Sequence, residues 1–391
     1  MNQTVFSRTI QLWEVAGLFL RLGSTAFGGP AAHIALMEQE VVVRRGWLSR
    51  AEFLDLLGIV NLIPGPNSTE MAILIGHRRA GRLGLLVGGV CFILPAALLV
   101  SVIAWGYVNY GKLPQAEGLL YGIKPVIIAV MAQAIWNLGR TAVKTWLLAM
   151  VGAGAIALSF VGVNPLLVLL ISGVFMLAAR AAAQPLKGTT GCLSPLLGAT
   201  TGFRLLSTAG TLAPFSLWPM FLFFLKVGAV MFGSGYVLLA FLRTDLVEHR
   251  QWLTEGQLLD AVSVGQFTPG PLLTTATFIG YVLGGPVAAL VATLAIFLPA
   301  FVLCAVIGPF APRLRQSRLV GGLLDGVNVA SLALMIAVTW HLSGTALVDW
   351  LAIALAVAAA VWMLFYRVNS TWLILAGAAV GLARFVFQNG F

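Results

Sequence analysis

The sequence predicts an all-α polytopic membrane protein of two homologous halves, arranged as an inverted-topology repeat with discontinuous or re-entrant helices and about 10–13 membrane segments. Three observations predict it. The 391-residue chain is 60% hydrophobic and 9% charged, with a mean hydropathy of +0.97; a soluble domain carries about 25% charged residues. The chain repeats itself: FLRLGSTAFGGP at 19–30 returns as FLKVGAVMFGSG at 224–235, 205 positions on. Equivalent loops of the two copies also carry opposite charge bias.

The repeat keeps its register. Gly46-Trp47-Leu48-Ser49 answers to Gln251-Trp252-Leu253-Thr254, Asp55 to Asp260, Asn61 to Gln266, and Pro64-Gly65-Pro66 to Pro269-Gly270-Pro271. After a slip of one residue, Leu94-Pro95-Ala96 answers to Leu298-Pro299-Ala300 and Trp136 to Trp340. A long repeat in so apolar a chain marks a transporter made of two related halves. The halves are read as 1–180 and 217–391. Residues 181–216, with Gly, Pro, Ser and Thr among apolar residues, are read as a linker.

Each half holds two polar-interrupted apolar stretches and then four cleaner ones. In half one these are 12–37 and 53–75, then 83–108, 117–138, 145–162 and 165–180. In half two they are 217–242 and 258–282, then 286–310, 321–342, 347–365 and 371–388. Most are long enough to cross about 30 Å of hydrocarbon. Residues 38–52 and 243–257 are charged, carry Trp47 and Trp252, and read as interfacial connectors. The first stretch contains Glu14 and Arg21, too polar for a cleaved signal peptide. The net charge of +10 sits in short loops, where it orients the chain and does not imply nucleic acid. Cys91, Cys192 and Cys304 are dispersed, and their spacing suits packing better than a metal or a disulfide.

Loop charge sets the relation between the halves. Half one has His77, Arg78, Arg79 and Arg82 after its second stretch, where half two has no base between Phe278 and Pro286. After the third stretch the bias flips: Lys112 alone, against Arg313, Arg315 and Arg318. Arg140 and Lys144 then face Asp349, and Arg367 has no basic counterpart. Equivalent loops therefore lie on opposite sides of the membrane. Inversion needs an odd number of crossings between equivalent points. Either 192–216 crosses as an extra segment, or one interrupted stretch per half is re-entrant, with five crossings each. The mid-segment position of Asn61–Thr69 favours the second.

The interruptions carry the candidate chemistry. Pro64-Gly65-Pro66 and Pro269-Gly270-Pro271 cannot continue an α-helix. Within a membrane such a break survives only inside protein or beside a water-filled cavity. Asn67, Ser68 and Thr69 follow one break, and Thr274, Thr275 and Thr277 the other, residue types that start a new helix. A helix N-terminus offers free N–H groups and partial positive charge to an anion. Phe27-Gly28-Gly29-Pro30 and Phe232-Gly233-Ser234-Gly235 form a second matched break, which also suits close helix packing. Arg21 precedes Gly28 by seven residues and Lys226 precedes Gly233 by seven, so each cation shares a face with its break. A cation within an apolar segment is costly and usually functional; the plainer role is snorkelling or pairing with an acid. Asn61 and Gln266 are matched amides able to donate to a ligand oxygen or between helices. Glu70, answered by Thr275, and His33 are candidates for a coupling proton, with ion pairing and packing as their plainer roles.

No phosphate-binding loop, no metal-binding or hydrolase motif and no cofactor fingerprint occurs, so transport would be secondary and the chain is not read as an enzyme. The Phe27–Pro30 motif, the Asn61-Leu62-Ile63-Pro64-Gly65-Pro66 motif and the half-two version Gln266-Phe267-Thr268-Pro269-Gly270-Pro271 together resemble the chromate ion transporter family in its long, two-domain form. The resemblance covers nearly the whole chain. It implies gradient-driven export of chromate across a bacterial inner membrane, conferring chromate resistance, with sulfate as the chemically related tetrahedral dianion. Half two departs from the motif at Ser234-Gly235, which implies halves unequal in transport.

The expected site thus joins Arg21 and Lys226 as charges, the backbone and hydroxyls after each Pro-Gly-Pro at Asn67, Ser68, Thr69 and Thr274 as donors, and Asn61 and Gln266 as orienting amides, with Gly28, Gly29, Pro64, Gly65, Pro66, Gly233, Ser234, Thr268, Pro269, Gly270 and Pro271 at the breaks as the other substrate-binding positions. Expected partners are the oxyanion, a coupling proton or other ion, and the bilayer. A homo-oligomer is one assembly open to such a chain. Rival readings are sulfate or small-carboxylate transport and, last, an intramembrane enzyme or scaffold.

Overall fold

In the computed structural model the described residues are 2–27, 29–111, 113–182, 214–232, 235, 237–307, 318–366 and 370–389, and their regular structure is helical. Half one comprises α1 (Asn2–Thr25), α2 (Gly29–Glu38), α3 (Arg50–Val60), α4 (Asn67–Tyr110), α5 (Pro114–Ala142), α6 (Trp146–Phe160) and α7 (Pro165–Ala182). Half two comprises α8 (Leu217–Val230), α9 (Leu238–Leu242), α10 (Glu255–Phe267), α11 (Thr275–Ile307), α12 (Arg318–Ala346), α13 (Trp350–Tyr366) and α14 (Ser370–Asn389).

The repeat is visible in local geometry. A π-helical turn follows α2 at Gln39–Arg44 and α9 at Arg243–His249. Ser49 caps α3 reciprocally with Glu52, and Thr254 caps α10 with Gln257. Non-helical backbone breaks α4 at Ala80-Gly81 and α11 at Gly284-Gly285, with φ of 68° at Gly81 and 73° at Gly285. Each break folds its helix into a hairpin of two limbs. Glycine makes this possible twice over, by its left-handed φ and by its lack of a side chain: a Cβ on Gly76 would collide with the Gly84 carbonyl, and one on Gly280 would lie 2.5 Å from the Ala288 carbonyl.

Side-chain contacts show where each segment returns. Arg79, at the end of the first limb of α4, donates to Glu14 of α1 at 2.6 Å. The guanidinium groups of Arg79 and Arg45 lie 5.0 and 5.1 Å from the Trp47 ring centroid. Glu14, Trp47 and Arg79 therefore share one face. Both interrupted stretches of half one leave that face and come back to it. Half two does the same from the opposite face, where Phe215 meets Trp252 at 5.4 Å and Gly284 packs on Phe215. The second limb of α4 links the two faces: it starts beside Arg79 and carries Tyr107 to Asp260 of α10.

This corrects the expected topology. Both interrupted stretches of each half are re-entrant, not one, which leaves four crossings per half. Helix α3 has 11 residues and α10 has 13, or about 16–20 Å at 1.5 Å per residue, roughly half of a hydrocarbon core. The hairpin tips thus lie near mid-depth. The described chain reaches Arg180 on the face of Lys144, both paired to Asp325, and resumes at Pro214 on the opposite face. The segment between, with most of the expected extra crossing at 192–216, lies outside the described residues.

The halves interlace. Helix α5 packs on α14 and α12 packs on α7, across the repeat. The contacts are backbone to backbone at Gly122 and Gly377 and at Gly326 and Ser172, where a Cβ would clash. Six helices, α5–α7 and α12–α14, so form a frame. The hairpins sit on the other layer, around the long limbs of α4 and α11. Those limbs turn matched apolar stripes outward: Leu83, Leu86, Val90, Leu94, Leu98 and Val102 against Val287, Leu290, Leu294, Leu298, Val302 and Val306. Exposed large apolar residues at i, i+3, i+4 spacing on a helix this long are a lipid-facing surface.

Candidate functional site

The site is built where hairpin tips of the two halves meet. Asn61 closes α3 and Pro66 precedes α4. Across the intervening turn Asn67 Nδ2 donates to Asn61 Oδ1 at 3.0 Å. Gly65 has φ 148° and Gly270 φ 92°, both in the region that favours glycine. The Gly65 tip packs on Ala300 of α11, and the Gly270 tip on Ala96 of α4. These are the small residues after Pro299 and Pro95, so each tip touches the other half at equivalent points.

One contact crosses the pseudo-symmetry without a counterpart among the described hydrogen bonds. The Gly270 N–H donates to the Ala26 carbonyl at 3.0 Å, and His33 Nε2 lies 3.0 Å from the same oxygen. The first break of half one and the Pro-Gly-Pro tip of half two are thus joined. His33 is buried against Phe92 and pins this junction. Gly29, with φ 82°, opens α2 just beyond. Gly28, Gly233 and Ser234 lie outside the described residues.

The two tips differ in their donors. In half two, Thr268 donates to the Val264 carbonyl at 2.9 Å, Thr274 to Pro271 at 2.9 Å and Thr275 to Leu272 at 2.8 Å. A hydroxyl has one proton to give, so these threonines are spent on their own backbone. In this arrangement the Thr268 and Thr274 hydroxyls have no free proton to offer a ligand. In half one the Thr69 hydroxyl is buried with no hydrogen-bond partner, as are both oxygens of Glu70. Ser68 is buried beside them. Just before the half-two tip, Gln266 Nε2 is also buried without a hydrogen-bond partner.

Arg21 and Lys226 do not converge on the tips. Arg21 Nη2 lies 2.6 Å from Glu40, and Lys226 Nζ lies 2.9 Å from Asp245. Glu40 and Asp245 are themselves 205 positions apart, so the ion pair is part of the repeat. The expected site charges are thus neutralised by matched acids, and Glu40 also gathers Arg44 and Arg45. The 205 register contained this signal, because it aligns the acids as well as the bases. A second matched pair is charge-reversed: Glu38 with Arg50 at 3.4 Å, and Arg243 with Glu255 at 2.8 Å. Lys124 of α5 and Asp260 of α10, 136 positions apart in the chain, are brought to 3.0 Å by the fold.

These features define a polytopic membrane protein whose inverted halves meet through paired re-entrant tips. The chain belongs to the chromate transporter family: that family's model matches residues 13–177 and again 218–382. The chain is 30% identical to a chromate transport protein of Cupriavidus metallidurans, over 96% of this chain and 94% of that one. It is 31% identical to a probable chromate transport protein of Synechococcus elongatus, over 82% and 81% of the two chains. Identity to a chromate transport protein of Pseudomonas aeruginosa is 31%, over 83% and 79%. No solved structure matches the chain.

Proposed function

We propose that this protein exports chromate across a bacterial inner membrane as a secondary active transporter and so confers chromate resistance. The observation that carries the reading is that each Pro-Gly-Pro tip packs on the long limb of the other half, Gly65 on Ala300 and Gly270 on Ala96, while the α4 N-terminus has no side-chain cap and the buried Thr69 hydroxyl has no hydrogen-bond partner. Helix N-termini and hydroxyls there suit a tetrahedral oxyanion. The half-one tip is the principal binding surface, because its donors are free. Gln266 supplies an amide from half two, and Asn61 and Asn67 brace the turn.

The face bearing Arg45, Arg79, Lys144 and Arg180 is the cytoplasmic one under the positive-inside rule. A dianion leaving a negative-inside cell gains about 2.3 kcal/mol per charge per 100 mV, which favours export. The interlaced frame argues against one half rocking on the other, as an inverted repeat alone suggests, since that motion would shear the Gly122–Gly377 and Gly326–Ser172 contacts. The moving body is instead the hairpin-bearing layer, sliding against the frame of α5–α7 and α12–α14.

The test is accumulation of radiolabelled chromate in everted membrane vesicles with an interior-positive potential, with unlabelled sulfate as competitor. Chromate-selective accumulation supports the reading. Uptake only in right-side-out vesicles refutes export, and equal competition by sulfate moves the substrate to tetrahedral dianions in general.

A further inference from the structure

Among the described residues, Glu70 is the buried acid with no cation beside it. It lies in the first turn of α4, fully buried, with neither carboxyl oxygen hydrogen-bonded. Its Oε1 occupies the space where a side chain on Gly65 would project, so the carboxyl is aimed back into its own tip. The titratable group facing it from the neighbouring helix is the buried thiol of Cys304 on α11; Ala300, also on α11, closes the apolar wall at Gly65. Other buried acids have cations: Glu40 has Arg21, and Asp260 has Lys124. The matched position in half two is Thr275, whose hydroxyl is bonded to the Leu272 carbonyl.

An isolated carboxylate in such surroundings is very costly, whereas a carboxylic acid adds an O–H donor. The same N-terminal turn cannot hold an ionised carboxylate and a dianion side by side without strong repulsion. With a proton on Glu70 the conflict becomes an attraction, because the acid donates to the anion.

We infer that Glu70 is the proton site of the carrier and is protonated whenever an oxyanion occupies the α4 tip, so that one proton accompanies each anion in the same direction. The inference rests on the oxyanion reading above. Half two supplies no second proton, since Thr275 cannot ionise. Chromate moving with one proton still carries one net negative charge, so an interior-negative potential continues to drive export.

The test is proteoliposomes of the full chain with radiolabelled chromate outside, a pH dye inside, equal pH on both sides and the potential clamped. Wild type should acidify the lumen as chromate enters, with close to one proton per chromate. In Glu70→Gln that ratio should fall to near zero, whatever rate of chromate entry remains. Chromate entry into wild-type vesicles with no pH change, or with alkalinisation, overturns the inference while leaving the transport reading intact. A wild-type ratio in Glu70→Gln also overturns it. No chromate entry in wild type sinks both readings. Should Glu70→Gln fail to insert, carbodiimide labelling of wild type gives the answer: the Glu70 peptide should react, and sulfate or chromate should protect it. An unreactive Glu70 overturns the assignment.

Discussion

Lys124 Nζ stands 3.0 Å from Asp260 Oδ1, joining frame helix α5 to the half-two hairpin helix α10. Tyr107 of α4 donates to the other carboxylate oxygen at 2.9 Å. The equivalents of Lys124 and Asp260 are Asn328 and Asp55, and Asp55 is exposed. Asn328 carries no charge, so the Lys124–Asp260 ion pair has no charged equivalent at that position, and it fastens the half-two hairpin to the frame. The half-one hairpin packs in an apolar cluster around Phe53, Met71 and Phe92 that also takes in Ala300 and Cys304 of α11.

Breaking that tie from one side should be costly. Lys124→Asn strands a buried carboxylate, and removing one partner of a buried pair costs about 3–5 kcal/mol. Lys124→Asn should lower the melting temperature in detergent sharply, and the double variant with Asp260→Asn should recover most of it. A double variant no more stable than the single one would show that the two residues do not interact.

The tip glycines should resist even alanine. At positive φ an alanine costs about 1–3 kcal/mol, and at Gly270 the new Cβ would lie 2.7 Å from the Ala96 Cβ. Gly270→Ala should lose chromate transport by tenfold or more. Gly65→Ala should be equally damaging, because its Cβ displaces the Glu70 carboxyl. Initial transport rates, normalised to inserted protein, decide this.

Arg21 and Glu40 should behave as a pair. Arg21 is half-exposed, so the ion pair itself is worth about 0–1 kcal/mol. Arg21→Gln and Glu40→Gln should reduce transport to similar, partial extents, and the exchange of the two residues should restore it. If Arg21→Gln abolished transport while Glu40→Gln left it whole, Arg21 would be a substrate ligand after all. The same comparison applies to Lys226 and Asp245.

Asp349, in the loop between α12 and α13, should mark the acid limit of the far face. The Tyr121 hydroxyl at 2.6 Å, the Ala352 N–H at 2.9 Å and Arg384 at 2.6 Å hold its carboxyl down at about 2. An unfolded aspartate titrates near ~3.9. The folded value is the lower one, so this stabilisation is complete above about pH 4 and disappears as pH falls toward 2. Melting curves of Asp349→Asn should be flatter than wild type across that window. Parallel curves would sever the link.

Much of the fold was legible in the sequence because its causes are local. Among the described residues, apolar runs became six helices long and apolar enough to cross a bilayer, with the shorter apolar helices α6 and α13 beside them. Pro-Gly-Pro became a break wherever it occurred, since neither proline can donate and glycine tolerates the required φ. Opposed loop charges correctly implied inversion. The number of re-entrant hairpins was not legible, because a broken helix and a hairpin have the same composition and differ only in whether the second limb returns. That is visible only in contacts such as Arg79 with Glu14 and Trp47. The site was half legible. The tips were found as motifs, but which hydroxyls were already spent could not be read from residue types.

Sequence alone determined that this chain lives in a membrane, that it is one unit written twice in opposite senses, and that each copy is interrupted at fixed points. These follow from hydropathy, spacing and backbone stereochemistry. Tertiary structure alone decided that the halves interlace, that Arg21 and Lys226 are answered by Glu40 and Asp245, and that Glu70 is left without a partner. The physical reason is that charge compensation and hydrogen-bond satisfaction are properties of neighbours in space, and those neighbours can lie as far as 244 positions apart, as Ala26 and Gly270 do.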